Sequence, residues 1–230
     1  ARIPREPVAL TDLVEAACPA GAALVNVLLG AGVREDDVVS RLEHAVKVAR
    51  VSSSENGNRN AALLLACFGT GMTVTEICRL RVRDYLTESG SVFVDSQVRE
   101  EIAYNHRSRP LSWTSKKLTN AIDTHLAERL VRGHGVSPRV MAYRGLDPDS
   151  PLFVSGRTGY GLKISAQVRD GKTYYSANQL TRLYTRLFSM AGIEGASSQS
   201  GRRTLAVKLK RRGIDLRHIS EILGIESLEA

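Results

Sequence analysis

The stretch Phe68-Gly-Thr-Gly-Met-Thr-Val-Thr-Glu-Ile-Cys-Arg-Leu-Arg-Val-Arg-Asp84 decides how this chain is read. It opens at the end of a run, Asn60 to Phe68, that is nearly continuously apolar, as a helix central to a core would be. Gly69-Thr-Gly71 stops that helix. A further helix is expected to begin near Thr73 or Thr75. Thr73-x-x-Glu76 fits a capping box, in which hydroxyl and carboxylate each satisfy a backbone N–H that the helix end leaves orphaned. Glu76 is most simply that cap, and Asp84 caps the turn that follows.

The pattern extends in both directions. Upstream, Val38, Leu42, Ala45, Val46 and Ala49 fall on one helical face, and two alanines among them predict close packing against a neighbour. Downstream the period changes. Val92, Val94 and Val98 alternate with polar residues, and Ala103 to Leu111 reads as a second, arginine-rich strand, with Pro110 at an edge. Ser115 caps a helix carrying Leu118, Ile122, Leu126 and Leu130. Ser176 starts another, with Leu180, Leu183, Tyr184, Leu187 and Phe188 inward and Arg182 and Arg186 outward, while Tyr174 and Tyr175 fall in a loop before it. Arg202–Arg212 and Leu216–Leu223 form two last helices, with Asp215 as N-cap and Gly224 as stop. The expected fold is mainly α with a small antiparallel β-sheet.

Residues 1–35 read as a leader with one helix, Thr11 to Leu29, interrupted by Pro19 and Gly21. The chain begins at Ala1 with no signal-peptide core, so a fragment or processed product of a cytoplasmic protein is expected. No apolar run is long enough to span a bilayer, so no membrane partner is expected. Cys18, Cys67 and Cys78 show no Cys-x-x-Cys spacing, and the histidines are scattered. Cys67 and Cys78 therefore read as small core residues, and His44, His125 and His134 as surface or edge residues; no metal site is expected. Gly156-Arg-Thr-Gly-Tyr-Gly161 lacks a P-loop ending and reads as a mobile loop.

The charge is lopsided. Of a net +8, residues 1–58 carry six basic and eight acidic side chains, which leaves +10 on residues 59–230. Arg202, Arg203, Lys208, Lys210, Arg211, Arg212 and Arg217 stand against one acid, Asp215, in a single short segment. Such a cluster suits phosphate backbones, which attract cations without regard to sequence.

Order and local sequence go further. The first stretch resembles the first signature box of the tyrosine recombinases, the phage-integrase family. Gln199-Ser-Gly-Arg-Arg-Thr-Leu-Ala206, then Gly213-Ile-Asp-Leu216 and Ile222-Leu-Gly-Ile225, resembles the second. The Pro110-Leu111 hairpin end, the Leu152-Phe153 turn and Met190-Ala-Gly-Ile193 lie between them in the family's order, so the resemblance covers about residues 36–230. It implies the catalytic-domain fold of that family, one domain over 36–230, and double-stranded DNA as partner. It also implies a phosphotyrosine mechanism with no metal or nucleotide cofactor.

The implied chemistry needs two arginines, two histidines or a histidine and a tryptophan, a hairpin lysine and a tyrosine. Carried over, Arg202 matches the second arginine. Thr73 stands where the first arginine belongs, Gln199 replaces the first histidine and Ile225 the later one. No lysine lies between Leu86 and Lys116, and the nucleophilic tyrosine would fall after Ala230. The expectation is a degenerate, DNA-binding recombinase-like protein, accessory, architectural or regulatory on mobile-element or plasmid DNA, and able to pair with an active recombinase or with itself. Its DNA surface would comprise Arg202, Arg203, Lys208, Lys210, Arg211 and Arg212, helped by Arg107, Arg109, Lys116 and Lys117, with Arg182 and Arg186 reaching a groove. Two alternatives stand beside it: an active recombinase whose tyrosine follows residue 230, and a basic module that meets an acidic protein.

Overall fold

The computed structural model describes residues 35–169 and 171–225. The expected helix Thr11–Leu29 lies outside them. Seven helices and two small hairpins make up the described chain: α1 (Glu35–Val51), α2 (Gly57–Thr70), α3 (Val74–Arg79), β1 (Asp95–Val98), β2 (Arg109–Ser112), α4 (Lys116–Val131), β3 (Ser165–Arg169), β4 (Lys172–Ser176), α5 (Asn178–Met190), α6 (Ser200–Arg211) and α7 (Leu216–Leu223).

The apolar helix α2 sits at the centre and packs against α1, α4 and α6. Ala61, Ala62, Leu63, Leu64 and Ala66 are fully buried. On α1, Ala45 and Ala49 are likewise fully buried, so the two small side chains do bring the helices close. From α5, the buried Tyr184 hydroxyl donates to the Leu63 carbonyl at 2.8 Å, which removes the cost of an unpaired phenol in the core. Leu152 and Phe153 complete the same core.

Cys67 and Cys78 are buried and unbridged, as expected of core residues. Burial pushes both thiols up to about 12, and the thiolate is the reactive form. Peptide mapping after iodoacetamide treatment at pH 8 should find both unmodified in native protein and both alkylated after denaturation. Native labelling of Cys67 would contradict its place under α6.

The local caps form as read. The Thr73 hydroxyl accepts from the Glu76 amide and the Glu76 carboxylate accepts from the Thr73 amide at 2.7 Å, which closes the capping box. Ser115 accepts from the Leu118 amide and Asp215 from the Arg217 amide. Gly71 and Gly224 end α2 and α7 in the left-handed region, at φ 66° and 70°. Asp84 accepts from the Arg81 amide at 2.9 Å.

Four expectations need correcting. The strands are shorter than the alternation suggested: β1 pairs with β2 antiparallel from Asp95↔Ser112 to Val98↔Arg109, and 99–108 is a turn-rich loop between them. A second antiparallel pair, β3–β4, places Tyr174 and Tyr175 in a strand instead of a loop. Every residue of β3 is exposed, so no burial alternation marked it. Ser176 consequently ends β4, and α5 begins at Asn178 without a side-chain cap. His125 is not at the surface: it is buried, stacks on Phe153 and accepts the Val154 amide at 3.5 Å. Burial and then the nearby Arg129 push its pKa down to about 3, so it stays neutral in the core.

Candidate functional site

The two signature stretches meet through Arg202. It lies in the first turn of α6, and Gly71 and Leu223, on which it closes, stand two residues before Thr73 and two before Ile225. Its Nη1 donates to the Gly71 carbonyl at 2.8 Å, and its Nη2 donates to the Leu223 carbonyl. Those carbonyls end α2 and α7. Helix C-termini present unpaired, partly negative oxygens, so a buried guanidinium bridging two of them is well placed. Arg202 is only 3% exposed, and burial lowers its pKa from the usual arginine value.

Above it lies the tip of the β1–β2 hairpin. The Tyr104 ring centroid is 5.3 Å from the Arg202 guanidinium carbon, and its hydroxyl oxygen lies 3.5 Å from Arg202 Nη2. That hydroxyl donates to the Gly224 carbonyl at 2.6 Å, and the Asn105 side-chain amide donates to the same oxygen at 2.8 Å. Neither residue carried a sequence signal, because the partner carbonyl lies about 120 residues away.

Beside this knot is a buried ion pair. Arg109 Nη1 and Nη2 donate to the two carboxylate oxygens of Glu76, each at 2.6 Å. Glu76 also accepts the amides of Thr73 and Tyr104. Burial opposes its charge, but the Arg109 guanidinium and the two amides outweigh that and hold its pKa below the usual carboxylate value. Glu76 is therefore more than a helix cap.

The residues expected at the other family positions have the following surroundings. Thr73 is spent on its cap. Gln199 occupies the N-cap position of α6 without a side-chain cap bond. Ile225 packs on the satellite cluster of Ala206, Ile219 and Leu223. Among the described residues, no group of three or more His, Cys, Asp or Glu side chains is placed to hold a metal ion.

The expected DNA surface divides in two. Arg109, Arg202 and Arg203 are buried, at 5%, 3% and 5% exposure. They face the interior because anionic or carbonyl partners wait there for the first two. Arg203 differs: its Nε and Nη1 have no hydrogen-bond partner among the described residues. Lys210, Arg211 and Arg212 are exposed at the end of α6, as are Arg182 and Arg186 on α5, and Arg107, Lys116 and Lys117. Lys117 pairs with Glu43 of α1. Lys208, Arg211 and Lys117 also border an apolar groove of about 540 Å³ between α1, α2, α4 and α6, with Leu42, Phe68 and Leu205 in its walls. On the second hairpin, the Arg79 guanidinium stacks 4.2 Å from the Tyr175 ring centroid.

Comparison with known proteins bears on the fold and the family. Residues 33–230 match the model of the family described as "Phage integrase family". The curated tyrosine recombinase XerA of Pyrococcus furiosus is 28% identical over 171 residues, covering 74% of this chain and 47% of that protein. Tyrosine recombinase XerC of Thermodesulfovibrio yellowstonii matches to the same extent. The chain thus spans about half the length of these curated relatives. Among solved structures, XerA recombinase superposes with a TM-score of 0.55 at 24% identity, covering 85% of this chain and 55% of that one. The XerH site-specific recombinase bound to difH substrate superposes with a TM-score of 0.58 at 20% identity, over 85% of this chain and 47% of that one.

Proposed function

The chain belongs to the phage integrase family, and on that premise we propose that it binds duplex DNA through a recombinase-type domain too depleted in phosphate-handling groups to cut the strand. The observation that carries this reading is the state of Arg202. The one charged match to the family's cast is engaged by the Gly71 and Leu223 carbonyls. At the family's other positions the resemblance puts a hydroxyl at Thr73, a carboxamide at Gln199 and a hydrocarbon at Ile225. A phosphoryl-transfer transition state is stabilised mainly by charged donors fixed around its oxygens. Losing a single such donor costs about 10²–10³ in rate, and several are replaced here.

Binding asks less. Exposed cations on α5, α6 and the start of α4 supply backbone attraction without chemistry. Relatives named as tyrosine recombinases support DNA as the partner. On this reading the protein is an accessory, architectural or regulatory factor on mobile-element or plasmid DNA, acting alone, self-associated or paired with an active recombinase, with residues 36–230 as the DNA-binding unit.

The test is a nicked suicide duplex from the sequence flanking the gene, with protein made from the complete reading frame. A retarded complex on native gels and no covalent band on denaturing gels is the expected result. A covalent band lost on mutating a tyrosine makes the protein an active recombinase and overturns the proposal. Affinity should also fall steeply with salt. Changing Lys210, Arg211 and Arg212 together to alanine should lower the magnitude of the log–log salt slope by roughly 3, about 0.9 for each phosphate no longer neutralised. An unchanged slope would remove the end of α6 from the interface. The basic-rimmed apolar groove favours a second reading, a module for an acidic protein partner. Absence of DNA binding even at low salt would support it.

A further inference from the structure

We propose that Tyr104 and Asn105 are positioning residues that hold Arg202 closed, so that a DNA backbone phosphate reaches Arg202 only when their side chains lift from Gly224. The inference rests on the DNA-binding reading and adds the element that controls it.

Three observations carry it. First, Arg202 is buried at 3% exposure while Tyr104, directly over it, is 44% exposed. The phenol ring is therefore the outer cover of the guanidinium, with solvent on its far side. Second, both donors of the cover converge on one acceptor. Both the Tyr104 hydroxyl and the Asn105 amide donate to the Gly224 carbonyl. The backbone beneath is anchored independently: Ile102 and Ala103 are buried, and the Tyr104 amide donates to Glu76. Opening therefore needs two side chains to rotate, without unfolding of the loop.

Third, the residue after this pair is held in a costly conformation. His106 is exposed and adopts φ 56°, in the left-handed region that a non-glycine residue rarely visits. Strain of this kind persists where the surroundings over-determine it. Here the Arg107 amide donates to Asn105 Oδ1 at 3.2 Å and closes the turn around His106, which ties that conformation to the Asn105 side chain.

The energetic consequence has a definite sign. A site that is open only part of the time binds more weakly by the open fraction, so loosening the closed form raises the apparent affinity. A single hydrogen bond of this kind is worth roughly two- to tenfold in an equilibrium constant. Tyr104→Phe keeps the ring and removes the hydroxyl; Asn105→Ala removes the second donor and, with it, the oxygen that accepts the Arg107 amide.

The experiment is fluorescence anisotropy of a labelled 30-base-pair duplex, at fixed salt, with the full chain. The four proteins compared are wild type, Y104F/N105A, R202A and the triple variant, and thermal melting confirms that each is folded. Binding about fivefold tighter in Y104F/N105A, with that gain absent in the Arg202→Ala background, is the expected result. The dependence on Arg202 is what separates positioning from loop packing, since a general loosening of the loop acts whether or not Arg202 is present. If wild type binds and Y104F/N105A binds equally or more weakly, the latch is overturned while DNA binding stands. A gain that persists without Arg202 also overturns it. Failure of both wild type and Y104F/N105A to bind at low salt overturns the latch together with the DNA-binding reading. Binding by Y104F/N105A alone supports the latch in its strongest form.

Discussion

Arg109→Ala is expected to cost about 3–5 kcal/mol of stability, the range for removing one partner of a buried ion pair. The size follows from what is left behind. Glu76 is fully buried, and its carboxylate would keep only the amides of Thr73 and Tyr104 after losing both short bonds to Arg109. A buried charge missing half its partners is far costlier than a neutral gap. Urea unfolding followed by circular dichroism measures the loss, and a change below about 1 kcal/mol would show that the pair is dispensable. Replacing both residues, as Glu76→Gln with Arg109→Met, should recover much of the loss, because no unpaired charge then remains.

The same pair sets an acid limit. The folded pKa of Glu76 lies below its unfolded value, so on acidification the unfolded chain takes up the proton first. The stability it contributes is complete above the ordinary carboxylate value near 4.3. It shrinks as pH falls below that value and is lost once pH passes the folded pKa. Wild type should therefore lose stability more steeply below about pH 4 than the doubly substituted protein. Parallel pH profiles for the two would assign the acid response to other groups.

The second large effect is at Gly201. Glycine in a helix normally gives way to alanine with a gain of about 1 kcal/mol in propensity. Here the sign reverses. A Cβ at Gly201 would stand 2.3 Å from the Cys67 carbonyl oxygen and 2.6 Å from its sulfur. Since that oxygen belongs to the backbone of the central helix α2, α6 itself must move. Overpacking of this kind costs typically about 1–3 kcal/mol and sometimes more, so Gly201→Ala should lower the melting temperature by several degrees. Because α6 carries Arg202 and the exposed Lys210, Arg211 and Arg212, DNA affinity should fall along with it. A stabilised Gly201→Ala protein would mean that α6 has room it does not have here.

Legibility in the sequence follows the range of the interaction. Thr73 with Glu76, Ser115, Asp215 and the glycine stops at 71 and 224 act within three or four residues, so their spacing alone revealed the helix ends. The β3–β4 hairpin escaped because a ribbon exposed along β3 leaves no apolar alternation to read. His125 escaped for the opposite reason. Its burial depends on Phe153 and Val154, which lie beyond the end of its own helix, 29 residues along the chain in the case of Val154.

At the site, residue order and composition were enough for the family and for the sign of the charge. Folding chose which of the cations stay at the surface. Arg109, Arg202 and Lys210 are alike on paper, but the fold brings Glu76 to the first and the Gly71 and Leu223 carbonyls to the second. Lys210 is left at the exposed end of α6. A guanidinium goes inward only where partners distant in sequence repay its desolvation.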